Sequence, residues 1–386
     1  MNLLRLAHEV IALSASSENQ RRVAQRRALL AHDPSGLCPV MIRLNRPYVA
    51  RRAGVNLKDL YDDAETYLYF EFMSQILRFT LFHEDTPIVP EINLQLGVAW
   101  DLSLCGIPWI DVDGEEPWPG GPILANGHEA GGLPVPVDFS QVGMMPKTLR
   151  LYRDTQKILG STMPVHFPDW LAGPTRVVQK LRGEANLFLD FYDDPEAVHK
   201  MYAYATRVRR SFEVFRRALT GTGPGPAEMY FWEFKTLAND EVNAQLISPA
   251  HYDRFIYPHD LEYCRDYQNV YYHGSGVFTP YLQLIRSLPN VALIEISNWT
   301  DIRQASHVLG ERVILERSFL QTEPAFAADF SEREALMDEI VAGADGSFFY
   351  LVLNVDNPDE GVEQQARDWI RLARETTARH QRRVLT

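Results

Sequence analysis

The chain has 386 residues, 46% hydrophobic and 23% charged, and its 51 acidic and 38 basic residues leave a formal net charge of −13. That balance excludes a disordered chain and argues against non-specific binding to nucleic acid or to an anionic membrane surface. Cys38, Cys105 and Cys264 are too few and too scattered for a disulfide framework, so a reducing cytoplasm is the expected setting.

Residues 2–13 place Leu3, Leu4, Leu6, Val10, Ile11 and Leu13 on a helical stripe. Ser16 or Ser17 then offers an N-cap for a second helix ending at Leu29 and Leu30. The basic run Arg21 to Arg27 within it lacks interleaved aromatics and reads as a solvated helix face, not an RNA-binding patch. Residues 1–35 are therefore expected to be a helical extension covering one end of the main fold. Arg5 and Glu9 interrupt the first apolar stretch, so a signal peptide is not expected, and no window of about 18 apolar residues suggests a membrane span.

From residue 38 onward, eight short apolar runs alternate with helical patterns. They are CPVMIRL (38–44), TPIVPEI (86–92), MPVHF (163–167), AEMYFWEF (227–234), NVYYH (269–273), NVALIEI (290–296), RVILERS (312–318) and SFFYLVLNV (347–355). Their polar ends are Arg43, Glu91, His166, Glu233, His273, Glu295, Glu316 with Arg317, and Asn354 with Asp356. In a parallel barrel all strands aim their carboxyl ends at one mouth, where enzymes of this architecture build their sites. The alternation predicts a single (β/α)8 TIM-barrel domain over residues 1–386, in the α/β class. Residues 98–146 break the rhythm; Ile107, Trp109, Asp111 and Asp113 followed by a glycine turn suggest a hairpin in a lid or oligomer contact. A homodimer is compatible with such an exposed insertion.

The candidate chemistry sits at those strand ends. His273, in YYHGSG, can donate a proton or bind metal, and the flanking glycines would let substrate approach the backbone. Glu233 follows Tyr230, Phe231 and Trp232, whose bulk would desolvate a carboxyl and suit it to acid catalysis. Arg43 and Arg46 can hold an anionic group bidentately. Asp85 is a candidate proton donor or a turn cap, and His166 with Asp169 is read as a weaker functional pair near turn-forming prolines. Glu295, with Asn298 and Trp299 just beyond it, and Tyr272 complete the substrate-binding candidates. No G-x-S-x-G, P-loop, H-E-x-x-H or G-x-G-x-x-G motif occurs, and GTGPGP (221–226) precedes a strand instead of following one.

The order of elements resembles the uroporphyrinogen decarboxylase superfamily, which includes the haem-pathway decarboxylase and the cobalamin-dependent methyltransferases. The likeness covers roughly residues 38–360. It is strongest in ISPAHYDRFIYPHDLEYCRDYQNVYYHGSG, with support from LAGPTRVVQKLRGEANLFLDFYDDPEAVHKM and NWTDI (298–302). The resemblance implies an α/β barrel handling carboxylated tetrapyrroles or methyl donors. The decarboxylase's Arg-Gln-Ala-Gly-Arg loop has become RLNRPY, leaving Arg43 and Arg46, and its proton-handling aspartate has a counterpart in Asp85. Its closing His-Gly-Ile is absent from NVDNPDEG.

Methyltransferases of the family that act on thiols use H-x-C and a later cysteine on zinc. Here Ser275 follows His273, and LERSFLQTEP lacks cysteine, so no thiolate zinc site is expected, whereas a site of His and carboxylates stays open. What remains implied is transfer of a methyl group from a small, aromatic donor to cobalamin, free or on a corrinoid-binding partner protein. His273 and Glu233 would be the acids, and Tyr230, Trp232, Tyr272 and Trp299 the aromatic wall. A decarboxylase needing no cofactor is the alternative, and a non-catalytic corrinoid or porphyrin binder the third.

Overall fold

Branched and aromatic residues on alternating positions build most of the strands, and their register decides what each face carries. The computed structural model describes residues 2–112, 115–221, 234–327, 329–356 and 361–384. The strands are β1 (Val40–Leu44), β2 (Ile92–Asn93), β3 (Trp109–Ile110), β4 (Trp118–Pro119), β5 (Val165–His166), β6 (Lys235–Ala238), β7 (Val270–His273), β8 (Val291–Ile296), β9 (Ile314–Phe319) and β10 (Phe349–Val355). The chain divides into two compact units. The first holds Met1–Ile92, Ile158–Pro164 and Leu293–Thr386; the second holds Asn93–Lys157 and Val165–Ala292.

In the first unit β1 pairs with β10, β10 with β9 and β9 with β8, every pair parallel. Register puts Val40, Ile42, Leu351, Leu353, Leu315 and Phe319 on one face. That face meets the helix Val362–Val384, where the buried Trp369 stands edge-on to Phe319 with ring centroids 5.1 Å apart. The opposite face carries Met41, Arg43, Tyr350, Asn354, Glu316, Ser318 and Glu295. A parallel sheet usually buries apolar side chains on both faces, and this face departs from that pattern by joining its side chains through hydrogen bonds.

The N-terminal helices belong to this unit. Leu3–Ser14 is followed by Ser17–Leu30, which the Ser16 hydroxyl caps by accepting from Asn19 N at 3.2 Å. The arginine run is solvated only in part, with Arg21 and Arg27 exposed. Arg22 is fully buried, its guanidinium 3.9 Å above the Phe79 ring and paired with Glu18 and Glu84 at 3.0 and 3.4 Å, and Arg26 is buried too. The segment 84–88 accounts for this, because its carbonyls and carboxylates face the helix and neutralise the charge. Asn19 and Ile88 exchange two hydrogen bonds there, at 2.7 and 2.9 Å.

In the second unit β6 pairs parallel with β7, and Ala172 bridges Ala238 in the same sense. β3 and β4 form a short antiparallel hairpin within the insertion. Asp194 caps the long helix Pro195–Thr220 by accepting from Ala197 N at 3.1 Å. The SPAHYDRFIYPHDLEYCRDY helix is interrupted. Ser248 caps its start, but Tyr252–Ile256 widens into a π turn before Tyr257–Asp266 resumes the α form. Pro258 lacks the N–H that an α turn requires, and the wider turn accommodates it.

The structure is mixed α/β with six parallel strands, four paired in the first unit and two in the second, as in a TIM-like fold. Closure into an eight-stranded barrel does not occur among the described residues. The expected second strand shrinks to Ile92–Asn93, because Pro87 and Pro90 remove ladder donors across 86–90. The expected fourth strand, AEMYFWEF (227–234), lies outside the described residues except for Phe234, and the strand that follows it is Lys235–Ala238. No described helix is long and apolar enough to cross a membrane.

Candidate active site

In the second unit, parallel pairing brings three chain segments to the carboxyl ends of β6 and β7. Asn239 N donates to His273 O at 2.7 Å, and Gly173 N donates to Ala238 O at 2.8 Å. The residues placed there are Asn239, Asp240 and Glu241 beyond β6, His273 at the tip of β7, and Arg176 in the first turn of the helix Pro174–Arg182. His273 Nε2 stands 3.9 Å from Asp240 Oδ1, while the Tyr271 hydroxyl lies 3.1 Å from Nδ1. Arg176 is 3.5 Å from Asp240 and 3.6 Å from Glu241. These are loose contacts. Burial pushes the Glu241 carboxyl up to about 7, with Arg176 opposing the rise and Asp240 adding to it.

His273 therefore sits where it was expected, but its neighbours differ from the expected ones. Glu233, Tyr230 and Trp232 lie outside the described residues. The acid beside His273 is Asp240, with Glu241 next to it in the chain and facing Arg176, signalled in the sequence only by the short apolar run KTLA ending in Asn-Asp-Glu. Tyr272 does not share a face with His273. Alternation turns it the other way, fully buried, with its hydroxyl on Asp260 at 3.3 Å. Tyr271 takes the place beside His273. The glycines after His273 serve protein packing: a Cβ at Gly274 would meet Asn239 O at 2.8 Å, and one at Gly276 would meet the Val242 carbonyl.

His166 ends β5 and its carbonyl accepts from Leu94 N at 3.2 Å. Asp169 is buried and joins Lys235 Nζ at 2.6 Å; Lys235, also 2.9 Å from Glu213, opens β6 at its amino end. That buried triad is a structural device, with burial raising Asp169 against the pull of Lys235.

In the first unit the polar sheet face forms a closed network. Arg43 Nη2 meets Glu316 at 2.8 Å, and its Nη1 donates to Asn354 at 3.1 Å. The Tyr350 hydroxyl donates to the second oxygen of Glu316, and Asn354 donates to Ser318 at 2.8 Å and to Phe319 O at 3.0 Å. Glu295 is buried in register with Glu316. Arg46 is held by the Tyr61 hydroxyl at 3.1 Å and by Glu71 at 3.4 Å. Asn298 and Trp299 follow β8 and are exposed.

Asp85 is not brought to Arg43. It lies at the amino end of β1, its carboxylate accepting from Val40 N at 2.9 Å and paired with Arg21 and Arg374 at 2.9 and 2.7 Å. Glu84 accepts from Ile42 N at 3.2 Å. The two carboxylates satisfy the backbone donors of β1 that point away from β10, which explains why this acidic pair precedes the second apolar run.

All three thiols are buried, and burial raises their proton affinity. Among the described residues no three His, Cys, Asp or Glu side chains come together as a metal-binding group.

The fold is similar to that of a solved methyltransferase from Methanosarcina mazei, with a TM-score of 0.64 and 14% identity over 91% of this chain and 97% of that one. At that identity the likeness concerns the fold. No family model matches the chain, and no curated protein matches it.

Proposed function

We propose that this chain is a methyltransferase that removes a methyl group from a small, aromatic methyl ether, with His273, Asp240 and Glu241 delivering the proton that the departing oxygen needs. The observation that carries the reading is a carboxyl raised to about 7 by burial, next in the chain to the aspartate that faces His273, at the carboxyl ends of two parallel strands. The fold likeness to a methyltransferase and the sequence resemblance support it.

A corrinoid, carried free or by a partner protein, would supply the cob(I)alamin nucleophile that accepts the methyl group. The donor set here suits the other half of the event, since it offers acids and no thiolate. Near pH 7 Glu241 is protonated in about half of the molecules, which favours proton donation. Once the proton has moved to the phenolate, Arg176 stands 3.6 Å away to stabilise the carboxylate left behind. Tyr271 at Nδ1 fixes the imidazole so that Nε2 points toward Asp240.

The test mixes the full chain with cob(I)alamin and a panel of methoxyarenes while following the corrin spectrum and phenol release. Conversion to the methylated spectrum with stoichiometric phenol is expected for at least one donor. An unchanged spectrum across the panel, with free cobalamin and with a corrinoid protein, would sink the reading.

A further inference from the structure

Behind the turn carrying Asp240 and Glu241 lies a carboxyl group that the proton delivery does not use. Asp260, in Tyr257–Asp266, has no exposed surface. Its Oδ2 accepts from Asn239 Nδ2 at 3.0 Å, from the Tyr252 hydroxyl at 3.2 Å and from the Tyr272 hydroxyl at 3.3 Å. Its Oδ1 has no hydrogen-bond partner among the described residues. The π turn delivers Tyr252, β7 delivers Tyr272, and the tip of β6 delivers Asn239.

Asn239 is the only one of the three donors that reaches the candidate site. Its backbone N–H is bonded to His273 O, its carbonyl accepts from Val242 N at 2.9 Å, and Gly274 packs against that carbonyl. As a carboxylate, Asp260 satisfies the Asn239 amide with a charge-assisted bond. As an acid it has a proton to place. A phenol oxygen can accept that proton, but the amide nitrogen of Asn239 cannot, so the bond to Asn239 weakens.

We propose that Asp260 is the positioning residue of this site: its ionised form anchors Asn239, and through it the 239–242 turn and the tip of β7, and its neutral form loosens that anchor. The proposal rests on reading His273, Asp240 and Glu241 as the site. Burial places the Asp260 carboxyl at about 7 despite its three donors, so the change falls near neutrality. The titratable groups facing it are the phenols Tyr252 and Tyr272, both driven well up by burial, Tyr202 from Pro195–Thr220, and the Cys264 thiol on its own helix, both raised by burial and by Asp260. The adjacent His259 is held down to about 4 by burial and by His199, and stays neutral in this range. Glu241 titrates in the same range, so the experiment separates the two.

Amide spectra of the full chain recorded from about pH 5.5 to about 8.5 test it, following the Asn239 side-chain amide and the backbone amides of Asp240 and Ser275. A transition centred near 7 is expected in these signals; it should persist in Glu241→Gln and vanish in Asp260→Asn. Tyr272→Phe removes a donor that favours the charged form, and should move the midpoint upward by several tenths of a pH unit. Amides that do not titrate, or that titrate unchanged in Asp260→Asn, overturn the proposal. If Asp260→Asn does not fold, an unmoved midpoint in Tyr272→Phe overturns it instead. No methyl donor is involved, so a clear titration without turnover supports the positioning role and counts only against methyl transfer.

Discussion

Arg43 in the first unit and Arg176 in the second both face carboxylates on or just beyond parallel strands, but Arg43 meets Glu316 at 2.8 Å, whereas Arg176 stands 3.5 and 3.6 Å from Asp240 and Glu241. The first cluster is tied in several directions, with Tyr350 and Asn354 completing the hydrogen bonds of the ion pair. Such a network fixes shape. The second leaves burial only partly offset, so the proton affinity of Glu241 rises toward the pH at which acid catalysis operates. In the proposed reading, that loose pairing is what suits the second cluster to proton delivery.

The comparison breaks most sharply at Glu316. Glu316→Ala leaves the Arg43 charge and the Tyr350 hydroxyl without their shared partner in a buried place, and should cost about 3–5 kcal/mol in urea unfolding. A loss below about 1 kcal/mol would show the network to be dispensable. Glu241→Gln is expected to do the reverse, leaving the unfolding midpoint nearly unchanged while cutting methyl transfer by about 10²-fold or more. In the wild type, turnover should fall as pH rises above about 7, because the acid is then lost; a profile still rising through pH 8 would remove Glu241 from the role.

A smaller effect follows from linkage. Asp260 and Glu241 both have folded-state values raised to about 7 by burial, above their ordinary values of 3.8 and 4.5. Their contribution is fully present below those ordinary values and is lost as pH rises through about 7. Glu18, lowered to about 2 by Arg21, acts oppositely: its contribution is present above 4.5 and is lost as pH falls through about 2. Between pH 5.5 and 8 the wild type should therefore lose about 1–2 kcal/mol that Asp260→Asn retains, read from urea midpoints at the two pH values. Equal slopes for the two proteins would contradict this. Smallest of all, Asp240→Asn should lower turnover by less than about tenfold, since Glu241 holds the proton and Asp240, facing His273 at 3.9 Å, shares only in its delivery.

Local pattern was enough to foresee much of the fold. The Ser16 cap, the hairpin that opens at Trp109, and the late strands Val270–His273, Ile314–Phe319 and Phe349–Val355 follow from short-range rules of capping and alternation. The strand Lys235–Ala238, with its Asn-Asp-Glu ending, was not foreseen, because the aromatic run at 227–234 is the longer apolar signal beside the four residues KTLA. The burial of Arg22 was missed because Glu84 lies 62 positions further along the chain.

The amino-acid order by itself determined most of the segments that become helices and strands, and that polar side chains lie in or just beyond the carboxyl halves of the strands, because propensity and periodicity act over a few neighbouring residues. Tertiary structure alone decided that Asp85 closes the amino end of β1, that Tyr272 turns to Asp260 and Tyr271 to His273, and that Asp240 is the acid beside the imidazole. Those outcomes depend on register and on pairing between distant segments, where a shift of one residue moves a side chain to the opposite face.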